Sequence, residues 1–216
     1  MTTPVKQSII LRMNMENSKR AEKLRQQYRN ILRRFSNTGN YDGYFIGKVS
    51  LEFNMAADAG KMSENQANII KSRENYAELA AGGDFADGYL SIHMYLMKPV
   101  SKAVAQSNSG VQNKSDVANE YTPNMVFSKD EIFSFVSDTG DFNPIHQGEH
   151  PVVPGLLILE KLILEKLILD FMCSFVIRFR IPLYADEPVR LVPHKASGRM
   201  DGYRGSDGVE LFSCKY

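Results

Sequence analysis

The chain has 216 residues, 43% of them hydrophobic and 24% charged, which excludes a polypeptide disordered throughout. Two cysteines cannot build a disulfide scaffold, and no Cys–His cluster has zinc-ligand spacing. The net charge of +1 conceals an asymmetry: residues 1–36 carry +7 and the remainder carries −6. The first residues, Met1 to Gln7, lack the charged-then-apolar layout of a secretory signal. The apolar stretch from Leu156 to Ile177 holds Glu160, Lys161, Glu165, Lys166 and Asp170, each costing a few kcal/mol inside a bilayer. A soluble cytoplasmic protein is expected.

The basic charge concentrates on Ser18–Arg34, where Ala21, Leu24, Tyr28, Ile31 and Leu32 recur at helical spacing. This predicts one amphipathic helix with a cationic outer face. Asn37 to Gly43 reads as a turn, and Tyr44–Phe53 alternates as a strand should. Ser63-Glu-Asn-Gln has the form of a capping box and Gly82-Gly83 that of a stop, predicting a second helix over Ser63–Ala81. Tyr89–Met97 is a second strand candidate that could extend a sheet begun elsewhere. Residues 101–122 are rich in Ser, Asn, Gln and Lys and read as a polar linker between an unassigned α/β region, 1–100, and a second domain, 123–216.

In that second domain a short strand (Met125 to Phe127) precedes a capping box, Ser128-Lys-Asp-Glu, and a helix to about Ser137. A turn-rich segment, Asp138 to Pro144, leads towards an apolar helix beginning near Pro154. The five-residue repeat LILEK-LILEK-LILD advances roughly 140° per copy, spreading apolar side chains around the helix, so the helix is expected to be buried. Phe175–Leu183, Pro188–Lys195 and Val209–Tyr216 are strand-like. The layout is α+β, with one sheet wrapped around one helix.

Three features could carry chemistry. Glu160 falls alone on the drier side of the apolar helix, where a carboxylate is costly unless paired. Its plainer role is to complement the helix dipole in the first turn. In Gly140-Asp-Phe-Asn-Pro-Ile-His146, Pro144 forces a bend that lets Asp141 and His146 face one cavity. Histidine suits proton transfer near pH 7, although a surface histidine on a turn is the plainer reading. Pro151-Val-Val-Pro154-Gly155 opens the helix, where free N–H groups suit an oxygen that gains charge, or merely punctuate a helix start.

Together these features resemble the hot-dog superfamily. The Gly140–His146 segment resembles the signature of MaoC-like (R)-specific enoyl-CoA hydratases. The segment from His146 through Pro151-Val-Val-Pro154-Gly155 to Glu160 resembles 3-hydroxyacyl-carrier-protein dehydratases, with the Pro element five residues after the histidine and the glutamate fourteen after it. The resemblance covers about 125–216 and implies a hot-dog fold, an antiparallel sheet wrapped around a long central helix, in the C-terminal half. It also implies interconversion of 3-hydroxyacyl and trans-2-enoyl thioesters, carried on CoA or acyl carrier protein, without metal or redox cofactor. His146 would act with Asp141 in the first pattern or Glu160 in the second. Gly155 N–H would polarise the thioester and Asn143 would support the site. The carrier-protein pattern places the glutamate across a homodimer.

Two rivals remain: a hot-dog thioesterase, and a non-catalytic acyl-thioester binder or carrier-docking module. The basic helix could meet an acidic carrier protein or an acidic membrane, or be a solvated face; no nucleic acid is expected. His93, His150 and His194 show no partner pattern and are expected to be structural or surface residues.

Overall fold

The computed structural model describes residues 4–39, 41, 43–54, 65–98, 124–164 and 174–216, with side chains of the first helix from Ser18 onward. The chain opens with α1 (Pro4–Ser36), longer than the predicted helix but containing it. Leu24, Tyr28, Ile31, Leu32 and Phe35 form its buried stripe, as the spacing required. Four strands follow: β1 (Phe45–Asn54), β2 (Asn68–Arg73), β3 (Tyr76–Phe85) and β4 (Gly88–Met97). The second half contains β5 (Asn124–Met125), α2 (Lys129–Thr139), a 3-10 turn (Pro144–His146) and α3 (Gly155–Leu164). It ends in β6 (Ser174–Phe179), β7 (Val189–His194), β8 (Arg199–Arg204) and β9 (Glu210–Lys215). The expected linker over 101–122 lies outside the described residues, as does the apolar repeat beyond Leu164.

Among the described residues, nine strands make one sheet in the order β2-β3-β4-β1-β6-β9-β8-β7-β5. Every pairing is antiparallel. The two halves join at β1 and β6, in a register running from Lys48↔Arg178 to Glu52↔Ser174. On β1, alternate residues Val49 and Leu51 point into a core shared with α1, α2 and α3. The helices touch each other there: the buried Tyr28 hydroxyl donates to Leu156 O at 3.1 Å. Burial pushes the Tyr28 phenol well above its ordinary value, with Glu160 adding to the effect.

The helix expected over Ser63–Ala81 is absent. Its described part is a β-hairpin, β2 turning at Glu74-Asn75 into β3. Alanines at 77, 80 and 81 suggest a helix by propensity, but here their small side chains lie buried within the sheet. Pairing of β3 with β4 along its whole length, from Tyr76↔Met97 to Phe85↔Gly88, decides the outcome. Tertiary context overrode local propensity. Gly82 and Gly83 lie within β3, not at a helix end. The strand β8 has no signal in the sequence, because Arg-Met-Asp-Gly-Tyr-Arg has too few apolar residues to announce itself.

Candidate active site

Ser128 caps α2, its side chain accepting from Glu131 N at 3.2 Å. At the other end Gly140 closes α2 in the left-handed region, φ 72°, its N–H bonding to Val136 O. This turn aims the next residue, Asp141, across the bend. Asn143 then caps the 3-10 turn, its Oδ1 accepting from Ile145 N at 3.4 Å, and its Nδ2 donates to Tyr44 O at 3.3 Å. Pro144 at the first position of that turn fixes the backbone that delivers His146.

His146 is buried, with 6% of its surface exposed. Its Nδ1 lies 2.8 Å from Val152 O, and a carbonyl only accepts, so Nδ1 carries the proton. Nε2 is therefore the basic nitrogen, and it faces Asp141 Oδ2 at 3.5 Å. The Asp141 side chain is partly open, and its Oδ1 accepts from Asn143 N at 3.4 Å. The Pro151–Pro154 segment docks like a short strand, with Val152 N donating to Ile145 O and Val153 N to Leu183 O. These bonds hold Val152 O where the ring needs it.

Asp141, Asn143, His146 and Gly155 all line one cavity of about 1040 Å³. Its walls are largely apolar: Ile158 and Leu156 of α3, Phe179 and Phe212 of the C-terminal strands, and Leu32, Phe35, Leu79, Met94 and Leu96 from the first half. The signals in the sequence for that contribution from the N-terminal half were the helical spacing that includes Leu32 and the strand expected over Tyr89–Met97, and neither pointed to a cavity. Gly155 is required by contact. A Cβ there would meet the Phe179 ring at 2.8 Å. Its N–H belongs to the first turn of α3, where backbone donors have no intrahelical acceptor.

Glu160 is buried but sits elsewhere. It does not line the cavity, and its carboxylate takes two bonds from Arg29, Nε to Oε2 and Nη2 to Oε1, both 2.8 Å. Arg25 Nε stands 3.5 Å away. The forked geometry is the strong form of the pair, and its bonds hold the Arg29 guanidinium above its ordinary range. Arg29 also bonds Asp138 and lies over the Phe135 ring at 5.4 Å. So the helix expected to show a cationic face turns part of that charge inward. The structure brings Asp141, Asn143, His146 and Gly155 together, and leaves Glu160 apart from them.

Two of the remaining histidines have partners that the sequence did not reveal. His93 Nδ1 is 3.7 Å from Glu78, and His194 Nε2 is 3.1 Å from the buried Asp201, which Arg199 also binds at 2.7 Å. His150 is exposed. Among the described residues no helix is long and apolar enough to cross a membrane.

No protein-family model matches this sequence, and no curated protein is similar to it. Solved structures are similar in shape. HtdX from Mycobacterium tuberculosis superposes with TM-scores of 0.53 and 0.51 in two crystal structures, at 12% and 13% identity. The first covers 81% of this chain and 76% of HtdX, the second 80% and 73%. A MaoC-like dehydratase from Phytophthora capsici is similar at TM-score 0.47 and 12% identity, over 83% of this chain and 73% of that one. The chain therefore has the hot-dog fold, the architecture of the superfamily that its Asp141–His146 motif resembles.

Proposed function

We propose that this protein is a hydratase/dehydratase interconverting 3-hydroxyacyl and trans-2-enoyl thioesters, with His146 and Asp141 as its catalytic pair. The observation that carries the reading is the buried imidazole of His146. Its Nδ1–H is tied to Val152 O and its Nε2 faces Asp141 at 3.5 Å, on the wall of an apolar cavity. In dehydration, Nε2 takes the proton from C2, the C3–O bond breaks, and Asp141 delivers a proton to the departing hydroxyl. Water leaves and the C2=C3 double bond forms. In hydration the same pair positions and deprotonates water while the proton returns to C2. General acid–base help of this kind contributes roughly 10²–10⁴-fold.

The thioester oxygen gains charge on the way, and the Gly155 N–H at the start of α3 is suited to bind it. Asn143 supports the site by holding the bend between the acid and the base. The acyl group is accommodated among the leucine, methionine and phenylalanine side chains of the cavity, and the reaction balances without a metal or redox group. CoA or an acyl carrier protein would present the thioester on its pantetheine arm. Glu160 is assigned no proton-transfer role, because Arg29 and Arg25 bind its carboxylate outside the cavity.

The test is hydration of a short trans-2-enoyl-CoA, followed by loss of absorbance of the conjugated thioester, with release of free thiol measured alongside. The expected result is hydration without thiol release, abolished in His146→Ala while circular dichroism stays unchanged. Undiminished hydration in His146→Ala overturns the mechanism. Thiol release in place of hydration makes the protein a thioesterase, and binding without turnover makes it an acyl-thioester binder.

A further inference from the structure

The loop carrying Asp141 is held from the other half of the molecule. The C-terminal turn of a helix leaves its last carbonyls without intrahelical donors, and in α2 two of these are met by side chains of α1. Arg33 Nε donates to Asp138 O, and Ser36 Oγ donates to Thr139 O at 2.8 Å. Arg29 adds a bond to the Asp138 carboxylate. Residues 29, 33 and 36 follow one stripe of α1 at helical spacing, so one rigid element grips the two residues that precede Gly140 and Asp141. Ser36 also lies under the turn itself, its Cβ 3.4 Å from where a side chain on Gly140 would begin.

We propose that Arg33 and Ser36 are positioning residues of the active site, which fix Asp141 against His146 by capping the end of α2 from the N-terminal half. This rests on the assignment of His146 and Asp141 above. Arg33 does not line the cavity and Ser36 does, but the role proposed for both is a grip on the α2 carbonyls and requires no contact with substrate. Their effect passes through the backbone at 138–139, across the Gly140 turn, to a carboxylate that must stay within reach of Nε2. The Asp141–His146 distance of 3.5 Å leaves little room for drift before proton transfer suffers.

The experiment uses the full chain with Ser36→Ala and Arg33→Gln, each made in the wild type and in Asp141→Asn, and Arg33→Lys as the conservative variant. In the wild-type background kcat for enoyl-CoA hydration is expected to fall on the order of 10–100-fold, with KM little changed. In the Asp141→Asn background the same substitutions should cost nothing further, and Arg33→Lys should recover part of the loss. An equal loss in both backgrounds, or no loss in either, overturns the proposal. Backbone amide exchange at Gly140, Phe142 and Asn143 provides the readout independent of turnover. It should quicken in Ser36→Ala and Arg33→Gln while the urea midpoint stays close to that of the parent. If the wild type hydrates no enoyl thioester, the functional assignment fails, and wild-type exchange rates in both variants would then overturn the clamp as well.

Discussion

The carboxylate of Glu160 and that of Asp141 look interchangeable in the sequence, since each stands at a motif distance from His146. Their surroundings separate them. Glu160 is 4% exposed and takes a forked pair of bonds from Arg29, whereas Asp141 opens onto the cavity beside the imidazole. Asp141→Asn should therefore lower hydration far more than Glu160→Gln does. Glu160→Ala should instead show itself in urea unfolding, at a cost of about 1–3 kcal/mol, because it leaves the half-buried Arg29 with only Asp138 as partner. What the sequence made legible here was the spacing and the need for a partner to Glu160. The partner itself was hidden, since nothing in the chain order links Arg29 to a residue so far away.

Cys214 gives a residue-scale test of the pH response. Burial, with Asp201 adding to it, pushes its thiol up to about 12, and Sγ donates to Met200 O at 3.0 Å. In the unfolded chain the thiol returns to its ordinary value near 8.5. The folded state thus holds this proton more tightly, so the contribution to stability is complete below that value and is lost as the pH rises towards 12. In a Cys173→Ser background, thermal melts should move to lower temperature as the pH climbs above about 9. Cys214→Ala should flatten that decline. Iodoacetamide should leave Cys214 untouched at pH 8 until the protein unfolds.

At the scale of elements, the helices declared themselves through periodicity and caps, and both capping signals deserve contrast. Ser128-Lys-Asp-Glu stands before a real helix, α2, because Ile132, Phe135 and Val136 then bury one face. Ser63-Glu-Asn-Gln stands before β2 and β3, because no such stripe follows it and the edge strand β2 is exposed throughout. Ser128→Ala should cost about 1 kcal/mol in urea unfolding, the usual value of a helix cap. Gly155→Ala should cost about 1–3 kcal/mol, since the methyl group must displace the Phe179 ring. A melt of each variant beside the wild type measures both.

Across the whole molecule, the two halves repeat one theme, a helix laid on antiparallel strands, and they share both a sheet and a core. Its second occurrence was readable from the burial expected of the apolar helix. The first was not, because a cationic helix suggests a surface and small residues in β3 suggest a helix. The consequence is mutual dependence. Residues 123–216 alone would leave Glu160 without Arg29, the edge of β6 unpaired, and the Leu156 carbonyl without the Tyr28 hydroxyl. That fragment is expected to be insoluble or to lack a cooperative unfolding transition when followed by circular dichroism. The full chain should melt as one unit.

The β1–β6 seam carries a further implication for biogenesis. A ribosome releases Lys48–Glu52 long before Ser174–Arg178, so the outer rim of the nascent first half waits uncovered for its mate. Such distant pairing makes for slow maturation, and during the wait a neighbouring nascent copy offers the same mate in trans. Crowded expression should thus favour exchanged, intertwined pairs, and slower synthesis should favour the self-contained form.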